Sequence, residues 1–281
     1  MQSNPENRIS PRQRRSKSYW GWVTVGAIVI IGVYFLSNGQ APTTEVALTA
    51  TPSVEMPKPE PELPPAADIP RKPEPPAAVV SEEPPPTLET SDQELREGLS
   101  TQSSSVLFNT ALANENLIER SVSIVDVLSR GALPFKALPI TPPSEKFSVH
   151  TIDGEHYMNV ESYHRYDSYA QTISELDSQT LTRTFERFRP LLEQSYAGLG
   201  YPADDFDNAL IRALDRVLAT PQLRKPIVLK KKESVYIYAN TEIEQLTEMQ
   251  KLLLRMGPDN IALIQAQAKD LRDALLGTTP N

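Results

Sequence analysis

DSQTLTRTFERFRPLLEQSYAGL, residues 177–199, places Leu181, Phe185, Phe188, Leu192, Tyr196 and Leu199 at intervals of three and four. That period puts one apolar stripe along a helix and leaves charge on the other side. Asp177 is the expected N-cap, and Gly198 and Gly200 close the pattern. Pro190 falls inside it and must either kink the helix or begin a second one. A long amphipathic helix needs other helices to cover its stripe, so the fold expected around it is mainly α.

The same period recurs on both sides. YPADDFDN (residues 201–208) offers several caps for a helix carrying Phe206, Leu210, Leu214 and Val217, which Thr220-Pro221 stops. Thr241 and Glu244 read as a capping box before Leu246, Met249, Leu253 and Met256, ending at Gly257-Pro258. The last helix carries Ile261, Ile264, Ala268, Leu271 and Leu275 on one face. Upstream, Asp167 is the expected cap of a helix through Ile173 and Leu176. Asn114 or Asn116 is expected to cap one with Ile118, Val122, Val125 and Leu128, closed by Gly131. Ser91, Asp92, Gln93 and Glu94 form a capping box before Leu95 and Leu99. LPFKALPITPPS (133–144) is a proline-punctuated loop.

Two stretches have strand character. FSVHTIDGEHYMNV (147–160) is a hairpin about Asp153-Gly154, and 227–230 with 234–238 form two short strands around a basic turn. Residues 91–276 are therefore expected to form one compact helical domain with one or two short β-hairpins, followed by a tail at 277–281.

Ahead of that domain lies YWGWVTVGAIVIIGVYFL, residues 19–36, without a charge. Eighteen helical residues span about 27 Å, close to the hydrocarbon thickness of a bilayer. Trp20 and Trp22 at one end and Tyr34 and Phe35 near the other are the expected interfacial belts. The head, 1–18, has five basic residues against one acid. The positive-inside rule then sets the N-terminus in the cytoplasm and the rest in the periplasm, as a single-pass inner-membrane protein. Gly39 and Ala41 would suit a signal-peptide cut, but the apolar run is long for an h-region and Pro42 would follow the cut, so an uncleaved signal-anchor is the reading.

Of the 26 prolines, 14 lie in residues 41–90. With nine acids against three basic residues, 37–90 is expected to be a disordered, proline-rich spacer. Residues 91–281 also carry more acids than bases, 26 against 20, which argues against a nucleic-acid partner. The basic head suits anionic lipid headgroups. There is no cysteine, which excludes disulfides, thiolate metal sites and a lipidated cysteine.

No nucleophile elbow, glycine-rich phosphate loop or H-E-x-x-H zinc motif occurs, so no catalytic residue is assigned and no cofactor is expected. The three histidines, His150, His156 and His164, lie within 15 residues of one another. His150 and His156, on opposite arms of the hairpin, are the weak candidates for a metal, with Asp153 or Glu155. The more economical reading is exposed loop histidines. Asp204, Asp205 and Asp207 could serve glycosidase-type acid/base work, but acids before a helix are expected as caps. Tyr157, Tyr163, Arg165, Tyr166 and Tyr169 cluster in sequence. Aromatic faces with polar tips suit a sugar ring or a peptide, and equally a part-buried junction. Lys251 and Arg255, one turn apart near a helix C-terminus, suit the helix dipole.

NLIERSVSIVDVLSRGALP (116–134), YHRYDSY (163–169), LGYPADDFDNALIRALDRVLATP (199–221) and above all QKLLLRMGPDN (250–260) together resemble a bacterial family of membrane-anchored proteins, the domain of unknown function numbered three thousand and fourteen. The likeness covers roughly residues 88–276. It implies a Gram-negative envelope protein with an N-terminal anchor and a proline-rich spacer, and it carries over no catalytic residue. The function expected is a non-enzymatic binding or scaffolding module, with the lipid bilayer and an envelope protein or cell-wall material as partners. The alternatives are a cell-wall glycan hydrolase and a TonB-like energy-transducing protein. The second conflicts with the absence of an ionisable group in 19–36.

Overall fold

A computed structural model describes residues 67–71, 85–133, 143, 145–233 and 235–278. The head, the apolar segment with Trp20, Trp22, Tyr34 and Phe35, and most of the spacer lie outside the described residues. Among the described residues no helix is long and apolar enough to cross a membrane.

The domain is mainly helical, with one small antiparallel sheet. Helices α1 (Leu88–Leu99), α2 (Val106–Leu112) and α3 (Leu117–Ser129) are followed by strands β1 (Val149–Ile152) and β2 (Glu155–Met158). Then come α4 (Glu161–His164), α5 (Asp167–Ser174), α6 (Ser178–Gly198), a 3-10 turn (Ala203–Asp205) and α7 (Phe206–Leu218). Strands β3 (Val228–Lys232) and β4 (Val235–Tyr238) precede α8 (Thr241–Glu244), α9 (Glu248–Met256) and α10 (Pro258–Leu275).

The stripe of α6 becomes core, with Leu181, Phe185, Phe188, Leu192 and Tyr196 all buried. Asp177 caps it by accepting from the Thr180 N–H at 2.7 Å. The helix continues through Pro190 as one element. α10 packs on α5, α6, α7 and α9, and α3 packs on α1, α6 and α7. Their common core holds Phe108, Leu117, Ile124, Leu128, Ile211, Leu252 and Met256, none accessible to solvent. Burying a side chain of that size contributes about 1.5–3 kcal/mol each, which is what holds short helices that would fray alone.

Several boundaries differ from the sequence reading. α1 starts at Leu88, with Thr87 and Thr90 forming the capping box. Ser91 lies inside the helix and donates to the Leu88 carbonyl at 3.0 Å. Asp92, expected in that box, serves another helix. Its two carboxylate oxygens accept from the backbone N–H of Asn116 and of Leu117, each at 2.7 Å. Asn116 occupies the N-cap position of α3 in the left-handed region, without a capping side-chain bond of its own. Helix α2, not expected, lies between α1 and α3 in sequence and packs on α1 and α5. Thr241 and Glu244 belong to the short α8, capped by Asn240. The capping box that opens the longer helix is Thr247 with Gln250.

The two expected hairpins join into one sheet, ordered β1-β2-β3-β4 and antiparallel throughout. Asp153 and Gly154 both have positive φ, 51° and 84°, the pair a tight primed turn requires. β2 meets β3 with His156 opposite Leu229 and Tyr157 opposite Val228, although four helices intervene in sequence. Met158, Leu229 and Tyr238 share one face of this sheet and are buried.

Candidate functional site

The tyrosine-rich cluster is a packed junction between the sheet and the helices. Tyr166 and Tyr169 are buried, with ring centroids 6.2 Å apart. Arg165 is buried too. Its Nε donates to the Ser162 carbonyl at 2.9 Å and its Nη1 to the Glu145 carbonyl at 3.2 Å. Its guanidinium lies 5.0 Å from the Tyr166 ring centroid and 5.6 Å from that of Phe147, within cation–π range. Burial pushes the Tyr169 phenol up to about 12 and raises Tyr163 and Tyr166 as well. Neutral phenols packed this way act as apolar bulk, and the Tyr166 hydroxyl accepts from Arg165 Nη2 at 3.5 Å.

QKLLLRMGPDN is the other half of this junction. Gly257 joins α9 to α10 at φ 87°, and a Cβ there would sit 2.5 Å from Tyr163 Cγ. Only glycine meets both demands. Pro258 opens α10 at its first position, where a missing N–H costs nothing. Asn260, buried, donates from Nδ2 to the Tyr163 carbonyl (3.2 Å), to Asp167 Oδ1 (2.9 Å) and to the Met256 carbonyl (2.9 Å). His164, exposed, pairs with the other Asp167 oxygen at 2.8 Å. Arg255, two residues before Gly257, lies 5.7 Å from the Tyr238 ring centroid. Lys251 pairs with Glu248 at 2.7 Å.

Tyr157 stands apart from the junction, on the outward face of the sheet. The pairing register puts His150, Ile152, Glu155, Tyr157, Lys230, Lys232, Val235 and Ile237 on that face. His150 stacks on Tyr157 with centroids 5.6 Å apart, and the Tyr157 hydroxyl donates to Glu155 at 2.7 Å, which raises its pKa. Ile152 and Val235, on the edge strands β1 and β4, are 54% and 55% exposed, with the exposed Lys230 and Lys232 on β3 between them. His156 points to the opposite face, where Thr151 lies 2.9 Å from its Nδ1 and Tyr236 meets it edge-on. The two candidate histidines therefore do not converge on one ion. Among the described residues no group of three His, Asp or Glu is arranged for a metal.

The model of a family described as a protein of unknown function, DUF3014, matches residues 117–272. The chain belongs to this family. No curated protein and no solved structure matches it. The matched residues hold both halves of the junction, the whole sheet and helices α3 to α9 with most of α10.

Within the DUF3014 domain the three acids before α7 do three different things. Asp204 is exposed, and Asp205 accepts from the Asn208 side chain at 2.9 Å. Asp207 is 5% exposed and accepts through Oδ2 from Nη2 of Arg189, on α6. Arg189 Nε lies 3.5 Å from Glu193 Oε1. One arginine thus faces two carboxylates. The second cation comes from outside the family match. Arg71 Nη2 lies 2.9 Å from Glu193 and 3.6 Å from Asp207, completing an alternating ring of four charges. Burial, with the nearby charge of Arg71, holds the Arg189 guanidinium below its ordinary value. Two residues earlier, Ile69 is buried in the common core and Ala67 packs against it.

Residues 67–71 fall inside the stretch read as spacer, and no periodicity marks them. One signal was available. Ile69 and Arg71 are the sole isoleucine and the sole arginine in residues 41–90, two positions apart around Pro70.

Proposed function

We propose that the chain is a single-pass envelope protein whose DUF3014 domain is a non-enzymatic binding module. Residues 19–36 hold it in the inner membrane with the head in the cytoplasm, and the Pro/Glu-rich stretch carries the domain into the periplasm. The basic head, the uncharged eighteen residues and the proline content support this layout.

The observation that carries the binding role is the outward face of the sheet. Ile152 and Val235 are more than half exposed on the two edge strands, with the His150–Tyr157 pair, Glu155, Lys230 and Lys232 across the same face. Exposed apolar and aromatic side chains set among charges suit a protein interface. A glycan would need a free aromatic face with a free polar tip. Here one face of Tyr157 is covered by His150 and its hydroxyl is engaged by Glu155. The partner fitted by this surface is therefore an envelope protein presenting apolar side chains and acidic groups.

A photo-crosslinking residue at position 152 in the full chain, expressed in cells, tests this. The expected result is a discrete adduct that Val235→Asp abolishes and that a crosslinker at Leu263, on α10, does not form. Equal labelling from both positions would overturn the assignment. The topology is checked by alkaline phosphatase fused after Asn281, expected to be active. An inactive, stably expressed fusion would refute a periplasmic domain.

A further inference from the structure

We propose that the face of α6 and α7 bearing Glu193 and Asp207 is a peptide-binding site for a short apolar-Pro-Arg segment, and that residues 67–71 are its built-in ligand. Three observations carry it. First, the charges do not balance without the segment. Arg189 alone faces Glu193 and Asp207, and Arg71 supplies the missing cation at 2.9 and 3.6 Å. Second, the site keeps polar capacity beyond these pairs. Among the described residues, the buried Asp207 Oδ1 has no hydrogen-bond partner. Third, the ligand is preorganised. Pro70 fixes its own φ and biases Ile69 toward extended backbone, so fewer conformations are lost on docking.

Specificity follows from the same parts. The buried Ile69 is an apolar anchor. The guanidinium is delocalised and weakly hydrated, which suits a half-buried site between two carboxylates better than an ammonium does. The Arg71 side chain is half exposed, and the five residues are held by Ile69, by Ala67 packed against the core and by one ion-paired arginine. Such a contact exchanges with solvent, because ordering the backbone offsets much of what it gains. A segment of the same chemistry from a second molecule then competes for the site.

Release would also change reach, a consequence that rests on the anchored layout proposed above. With residues 67–71 docked, the 30 residues from 37 to 66 separate domain from membrane segment and span at most about 90 Å. Undocked, residues 37–87 span at most about 160 Å.

The test uses the full chain in detergent micelles. Trypsin cleavage of the Arg71–Lys72 bond is expected to be at least tenfold slower in the wild type than in Ile69→Ser. Glu193→Gln, which removes the carboxylate nearest Arg71, is expected to speed the same cleavage with helical content and melting temperature unchanged. A fluorescein-labelled peptide with the sequence of residues 65–73 is expected to bind Ile69→Ser/Arg71→Ala at least tenfold more tightly than the wild type, whose own segment competes at millimolar effective concentration. The same peptide with glutamate for arginine should not bind. Equal trypsin rates in wild type and Ile69→Ser would overturn docking. Peptide that fails to bind a double variant with wild-type circular dichroism would overturn the site. None of these readouts depends on the outward sheet face or on the membrane segment.

Discussion

The junction around Gly257 and the docked segment around Ile69 hold the same kinds of group, aromatic or aliphatic bulk beside arginine and carboxylate, yet they are built for opposite purposes. At the junction every partner comes from inside the family-matched domain, and Asn260 alone ties α10 to α4, α5 and α9. At the docked segment one of four charges comes from a stretch with few other anchors, and buried oxygens stay unpaired. The first is closed and fixes the fold. The second is open on one side and suited to exchange. Burial by itself does not separate them, since Ile69 is as buried as many core residues. The source of the charges does, since Arg255 Nη1 at the junction is also buried without a hydrogen-bond partner.

The comparison breaks most readily at Gly257. Gly257→Ala adds a Cβ 2.5 Å from Tyr163 and strains a residue at φ 87°. The expected loss is about 3 kcal/mol, read by urea unfolding. A variant as stable as wild type would mean that Tyr163 is free to move and the junction is not closed. Next, Asn260→Ala leaves the Tyr163 carbonyl and Asp167 short of a donor. It should cost about 2 kcal/mol by the same measurement.

A pH series sharpens the contrast. The Tyr169 phenol is pushed up to about 12 by burial, from a usual value near 10. The folded state therefore favours the protonated phenol. That contribution is complete below pH 10 and is lost as pH rises from about 10 to about 12. Tyr169→Phe should lose less stability over that window than wild type. Parallel unfolding curves would show that the junction does not resist ionisation. The smallest effect is expected at the open site. Ile69→Ser should lower global stability by less than about 1 kcal/mol, because the segment leaves without opening the core. A larger drop in the melting curve would make residues 67–71 a structural part of the domain and not an exchangeable ligand.

Much of the helical body was legible because its signal is local. The stripes of α6, α7 and α10 and the stop at Gly257-Pro258 lie in single windows of sequence and reappear as buried faces. The Asp153-Gly154 turn is equally local. The caps were less legible. Asp92 carries the sequence mark of a cap for its own helix, but its carboxylate reaches α3, twenty-four and twenty-five residues away. Sequence spacing held no sign of that contact.

The candidate residues divided in the same way. The tyrosines were visible as a cluster in sequence. Which of them face inward was decided by strand register and by α4, which leave Tyr157 outside while Tyr166 and Tyr169 are buried. Asp204, Asp205 and Asp207 looked alike in sequence, and helix geometry gave them three different environments.

What the sequence by itself determined is therefore the helical class, the hairpin turn, the proline-rich composition and the family. Each rests on periodicity, backbone preference or a contiguous motif, and these act between neighbours in the chain. Only the tertiary structure decided the pairing of β2 with β3, the capping of α3 by Asp92, the seat of Arg71 on α6 and α7 and the burial of Ile69 in the core. Each joins residues more than twenty positions apart. Such contacts form only once burial of the core offsets the entropy of closing the intervening chain.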